Sequence, residues 1–245
     1  MKKIFLSFSL ILAITFTGLQ PTFASDPINI GISKFKKEDR DVKDFDGVAA
    51  GGPIDVIITL GNTEGLRFEG DADAISTLIT EVVSNKLVIR PKNSWTSWAK
   101  KYENKKITAY VSAKTIKSLT MSGNGSMSVK GKIQENSLTG TLSGSGSITA
   151  SVDINSFVGT ISGSGNLNIS GEADKASVTI SGSGSLAKKG FAVDNMTAVI
   201  SGSGSIYVDA ENHISAVISG SGTINYSGDP EVEQRVVGSG KVRKI

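Results

Sequence analysis

The chain has 245 residues, 38% of them hydrophobic and 20% charged, with a formal net charge of +3, one histidine and no cysteine. An apolar fraction of that size excludes a disordered linker, and the missing thiols exclude disulfide scaffolds, thiolate zinc sites and cysteine nucleophiles. His213 alone cannot build a multi-histidine metal centre, and it sets the chain against a Ser-His-Asp triad.

Residues 1–24 read as an export signal. Lys2 and Lys3 form a positive start, Ile4 to Phe16 is an uncharged apolar run too short to span a bilayer, and Thr22-Phe23-Ala24 supplies small residues for cleavage. Without Lys2 and Lys3 the net charge falls from +3 to +1, so no nucleic-acid partner is inferred from basicity. No later apolar stretch approaches the ~20 residues of a membrane-spanning helix, and no cysteine stands at the cleavage point to take a lipid. The expectation is an exported product, in the periplasm, on the outer surface or in the medium.

Residues 25–45, with Lys36-Lys37-Glu38-Asp39-Arg40-Asp41, read as a mobile charged lead-in to a single domain over 46–245. Within that domain 46–115 hold strands without a glycine repeat. Ile54 to Leu60, Leu66 to Glu69, Lys86 to Arg90 and Ile107 to Val111 are strand candidates, and Ala72 to Val83 has room for a short helix or a turn of one.

Over 116–245 one pattern recurs: an apolar residue, Ser-Gly-Ser-Gly or a near variant, then polar and apolar residues in alternation. Copies start at Ser122, Ser143, Ser162, Ser181, Ser201, Ser219 and, degenerately, Val237, at spacings of 21, 19, 19, 20, 18 and 18. The turn glycines are Gly123, Gly125, Gly144, Gly146, Gly163, Gly165, Gly182, Gly184, Gly202, Gly204, Gly220, Gly222, Gly238 and Gly240. Three apolar columns keep step with them: Met121 to Val236 before the turn, Met127 to Val242 after it, and Leu138 to Val232 further upstream, with Lys117 out of place in the first copy. A fixed period with strand alternation marks a solenoid whose coils bury nothing singly and a continuous interior together. The pattern predicts an all-β protein, a right-handed parallel β-helix with serial Ser-Gly-Ser-Gly corners, about 34 Å tall over seven coils at strand spacing. Regularly spaced short strands are also the mark of a β-sandwich, the alternative architecture.

The export signal, Gly52-Pro53-Ile54-Asp55-Val56-Ile57-Ile58, Leu87-Val88-Ile89, the serial glycine turns and the closing Tyr226-Ser227-Gly228-Asp229-Pro230 together resemble the head GIN domain family, described as putative auto-transporter adhesins. The resemblance runs from about residue 44 to 245. It implies a right-handed parallel β-helix and adhesin-like binding, and it brings no catalytic residues with it.

The serine-glycine turns are corners rather than chemistry. A phosphate-binding loop needs a following lysine or a third glycine, and a nucleophile elbow needs glycine two residues either side of its serine. Calcium-binding rolls carry an aspartate in every turn, where this chain has serine; Glu69, Asp71 and Asp73 make one small acidic cluster, read as a solvated turn. Trp95, Trp98 and Tyr102 lie in a basic insertion that either caps the solenoid or meets a partner. Tyr207 stands in an outward column with Ser128, Thr149, Asn168, Ala187, Asn225 and Arg243. With Asp209 and Glu211 it is the one candidate acid-base constellation for a polysaccharide-cleaving enzyme, and a solvated loop is the plainer reading.

The expectation is therefore a non-catalytic module, without metal or cofactor, that binds a cell-envelope or host glycan or a surface protein, with Trp95, Trp98, Tyr102 and Tyr207 as its aromatic contacts. The rivals are a polysaccharide-cleaving enzyme and a purely structural, self-associating envelope protein. Flat faces are compatible with a homo-oligomer.

Overall fold

Alternation of apolar and polar residues turns nearly every segment into strand, and serial glycine corners stack those strands in parallel. The computed structural model describes residues 35–92, 100–101, 104–186 and 190–245, all within one compact unit. The architecture is a parallel β-solenoid of about seven turns.

The glycine-rich coils consist of β8 (Ser118–Gly123), β9 (Ser126–Ile133), β10 (Ser137–Gly144), β11 (Ser147–Gly163), β12 (Asn166–Gly182), β13 (Ser185–Leu186), β14 (Phe191–Gly202), β15 (Ser205–Gly220), β16 (Thr223–Ser227), β17 (Glu231–Gly238) and β18 (Lys241–Lys244). Strand segments before each glycine corner form a first face, and those after it a second; β11, β12 and β15 run on from the second face to the first face of the next coil. Pairing is parallel, and the three apolar columns align residue for residue, as in Leu142, Ile161 and Ile180, or Ile148 and Leu167. These side chains are fully buried and form the interior.

The corner explains both of its glycines. Gly163 has φ +122, and a Cβ there would stand 2.5 Å from the Gly144 carbonyl oxygen of the coil before. That carbonyl accepts from the amides of both Ser164 and Gly165 at 3.0 Å. At the second position, a Cβ on Gly184 would meet the Ile161 side chain at 2.5 Å. Only a residue without a side chain lets coils approach this closely. Inside, Phe157 occupies the space above Gly140 and Gly159 and meets Phe191 edge to face, centroids 5.5 Å apart.

The N-terminal half is built from β1 (Phe35–Arg40), β2 (Gly47–Gly51), β3 (Ile54–Leu60), β4 (Gly65–Asp71), α1 (Ala72–Ser76), β5 (Leu78–Val83), β6 (Lys86–Pro91) and β7 (Ile107–Ala113). Its coils are not stacked in chain order. Strand β2 lies between β6 and β8, and β3 between β7 and β9, all parallel, so the first coil of the chain is inserted between the second and the third. Gly52 supplies its corner, accepting from the Gly125 amide at 2.9 Å. Beyond β6 and β7 the strand direction reverses. Strand β5 pairs antiparallel with β6, β4 with β7, and β1 with β4. Helix α1, with Asp71 accepting from the Ala74 amide at its start, buries Ala74 and Ile75.

One expectation is corrected here. The charged stretch read as mobile includes β1, an edge strand whose Lys37 and Asp39 face Glu69 and Arg67 across the β4 ladder. Ion pairs across an antiparallel pair substitute for the apolar alternation that normally announces a strand.

Candidate binding face

Outward residues of the second face line up in register columns that cross the whole stack. One column runs Asp39, Arg67, Tyr110, Ile57, Ser128, Thr149, Asn168. Leu167, Leu186 and Ile206 align one residue before it, so its continuation in later coils holds Tyr207, Asn225 and Arg243. The neighbouring column runs Lys37, Glu69, Thr108, Asp55, Ser126, Ser147, Asn166, Ser185. Short polar side chains bond between coils: Ser126 donates to Asp55 at 2.6 Å and Ser185 to Asn166 at 2.5 Å in the second column, and Ser227 to Asp209 at 3.1 Å two residues past the Tyr207 column.

At the N-terminal end of the face the reversed strands raise charged walls about Tyr110, which is 39% exposed. A groove of about 800 Å³ runs past Asp39, Arg67, Glu69 and Tyr110. A second, of about 560 Å³, shares Glu69 and Tyr110 and reaches Phe35, Lys105 and Thr108. The walls are fixed by ion pairs. Arg67 holds Asp39 with two donors at 2.7 and 3.1 Å, and Lys105 holds Asp71 at 2.8 Å. Hydrogen bonding from Arg67 keeps the Asp39 carboxyl below the ordinary aspartate value, and that from Lys105, then from the Ala74 amide, does the same for Asp71.

At the other end Tyr207 and Arg243 flank Asn225, which is 1% exposed although it points outward. Arg243 donates to its side-chain oxygen at 2.6 Å.

The residues singled out in the sequence fare differently. Tyr207 lies on the second face. Asp209 takes the hydroxyl of Ser227, and Glu211 lines a separate groove of about 320 Å³ with Asp153, Glu172, Asp174 and Asp194. The three residues of the supposed acid-base constellation therefore do not share a cleft. Glu69 and Asp71 stand in ion pairs with Lys37 and Lys105. Among the described residues no group of three metal-ligating side chains is placed to hold an ion, and no helix is long and apolar enough to cross a membrane. Trp95, Trp98 and Tyr102 lie outside the described residues. Sequence reasoning passed over Tyr110, although its parity with Thr108 and Ser112, opposite to Ile107, Ala109 and Val111, already places it outward.

Residues 44–230 match the model of a family described as "Putative auto-transporter adhesin, head GIN domain". Among solved structures, a putative adhesin from Bacteroides fragilis superposes with a TM-score of 0.75 at 20% identity, over 86% of this chain and 97% of that one. A putative lipid binding protein from Parabacteroides distasonis gives 0.68 at 23% identity, over 86% and 96%. A putative adhesin from Parabacteroides merdae gives 0.68 at 21% identity, over 87% and 97%. None of these descriptions names an enzymatic activity. No curated protein matches this chain.

Proposed function

The chain belongs to the head GIN domain family of putative auto-transporter adhesins, and from that premise we propose that it is an exported, non-catalytic module that holds an extended glycan along its second face. The observation that carries this reading is the single column with Tyr110 near one end, Tyr207 near the other, and Ser128, Thr149 and Asn168 between them. Six strand spacings separate the tyrosines, about 29 Å at ~4.8 Å each. A flat run of hydroxyls and amides suits the hydroxyls of a sugar chain. A tyrosine ring at either end offers an apolar surface for a sugar's C–H face and a phenol that hydrogen-bonds. The charged walls about Tyr110 would set where the polymer stops. Trp95, Trp98 and Tyr102, in the insertion before β7, supply further aromatic contacts in this proposal.

The test is co-elution of the purified protein with a panel of bacterial and host polysaccharides in size exclusion, following both protein and polymer. Binding to an intact polymer, weakened about tenfold (~1.4 kcal/mol) by Tyr110→Ala or Tyr207→Ala, is the expected result. A polymer that shortens during incubation would establish cleavage and overturn the non-catalytic reading. Binding abolished by Trp95→Ala or Trp98→Ala but indifferent to both tyrosines would move the site to the insertion.

A further inference from the structure

We propose that β17, the last strand of the first face, is a self-recognition edge on which a second copy of this chain docks antiparallel about Gln234. Among the described residues β17 pairs only with β15, and β18 only with β16, so each presents a free ladder of backbone donors and acceptors. Free edges of this kind template pairing with another chain unless they are blunted.

The two edges differ in what they would pair with. In an antiparallel pair, residues directly opposite share a face. A twofold axis at Gln234 places Val232 opposite the second copy's Val236, Gln234 opposite Gln234, and Glu233 opposite Arg235. Val232, Gln234 and Val236 continue the inward columns of Ile214, Ala216 and Ile218, so the two valine pairs and the glutamine pair close the exposed end of the interior. Glu233 and Arg235 continue the outward columns and form two ion pairs across the axis. Among the described residues neither makes an ion pair within the chain.

Neighbouring registers fail. Moving the axis to Glu233 sets glutamate against glutamate and valine against glutamine; moving it to Arg235 sets arginine against arginine. Strand β18, Lys241-Val242-Arg243-Lys244, opposes cations to cations in any self-pairing, and charged edges are a standard block to association. At the far end of the solenoid, Lys37 and Asp39 of β1 are already engaged by Glu69 and Arg67. Of these three edges, β17 holds the self-complementary segment, Val232 to Val236. Pairing there closes a twofold dimer, with the same patch on both copies, and puts two binding faces on one particle.

Charge reversal tests this with its own rescue. Sedimentation equilibrium of the purified protein at micromolar to hundred-micromolar concentration should give twice the protomer mass. Glu233→Arg and Arg235→Glu should each weaken the dimer at least tenfold, and the double variant E233R/R235E should restore it, because the swapped charges again meet their opposites. Unchanged circular dichroism and melting would show that each variant folds. A protomer mass at every concentration overturns the proposal, as does a dimer indifferent to the single reversals, or a mass that grows without limit, the mark of head-to-tail stacking.

Discussion

The two ends of the solenoid finish differently, and the difference shows what a parallel stack cannot do for itself. Each coil leaves free the same ladder that it has just satisfied in its neighbour, so adding coils never removes the edge. At the N-terminal end the chain reverses direction: β4 and β5 run antiparallel to β7 and β6, and β1 follows β4. Arg40 bolts this cover together, donating to the carbonyls of Leu78 at 2.8 Å and Ile75 at 3.1 Å while lying 4.7 Å over the ring of Phe68. At the C-terminal end no reversal occurs among the described residues, and Val236 and Val237 are 36% and 61% exposed. Inserting the β2–β3 coil between its successors serves the same purpose, since it leaves β6 and β7 as the outermost layer for the reversed strands to cover.

The sharpest test of this contrast uses one substitution at two corners. Gly163 and Gly238 have the same local geometry, φ +122 and +115, and at each a Cβ would stand 2.5 Å from the carbonyl of the preceding corner. Gly163 has coils on both sides and cannot yield. Gly163→Ala should cost about 3 kcal/mol or more, from the forbidden φ together with the clash. Gly238→Ala, with a coil on one side only, should cost no more than about half as much, because β17 can tilt away. Equal losses in chemical denaturation would mean that the last coil is held as firmly as an internal one.

Next in size is Arg40→Ala. It strands two backbone carbonyls under the cover and removes a cation from the Phe68 face, and each unpaired buried acceptor costs about 1–3 kcal/mol. A loss of about 2–4 kcal/mol is expected, read by hydrogen exchange as lost protection in β1, α1 and β5 while β11 and β12 keep theirs. Simultaneous loss in both regions would show that cover and coils melt as one unit.

How much of this was legible follows the same division. The glycine-rich coils could be read from sequence because each repeats one register, and the columns of Met121, Met127 and Leu138 each align across the sheet with their counterparts. The cover could not. Strand β1 is five charged residues after Phe35, and what makes it a strand is Arg67 and Glu69 some thirty positions on. Nor does any local pattern say that β2 pairs with both β6 and β8, since coil order is decided by long-range pairing that alternation alone does not encode. The acidic groove at Glu211 went unseen for a related reason: Asp153 pairs in register with Glu172, but Asp174 and Asp194 stand two residues past that column and Glu211 lies at the register shift between β14 and β15.

Acid should separate the ends as well. Hydrogen bonds to cations hold the carboxyls of Glu38, Asp39, Glu64 and Asp71 below their ordinary values, chiefly those from Lys36, Arg67, Lys114 and Lys105 respectively. A carboxyl depressed in the folded state binds its proton more readily once unfolded, so its contribution is complete above the unfolded value near pH ~4 and is lost as pH falls through the folded one. All four lie between residues 38 and 71. Below about pH 4, protection in β1 and α1 should therefore fall before that in β12. The opposite order would place the acid-sensitive contacts in the coils.

The smallest effect is expected from Arg243→Ala, the counterpart of Arg40→Ala at the open end. Arg243 donates to Asn225 at 2.6 Å, and among the described residues that side chain otherwise bonds only to the Ile206 carbonyl, at 3.4 Å. In dilute solution the lost bond should cost about 0.5–1 kcal/mol, because water reaches the terminal coil and replaces the guanidinium. At high concentration, where a docked second copy would shield that coil, the same substitution should cost more, since binding to the folded state alone stabilises by mass action and a buried Asn225 has no water to turn to. The cost of Arg243→Ala as a function of protein concentration thus measures how open this end is. A cost independent of concentration, beside a confirmed dimer, would mean that the second copy covers β17 and leaves β18 in water.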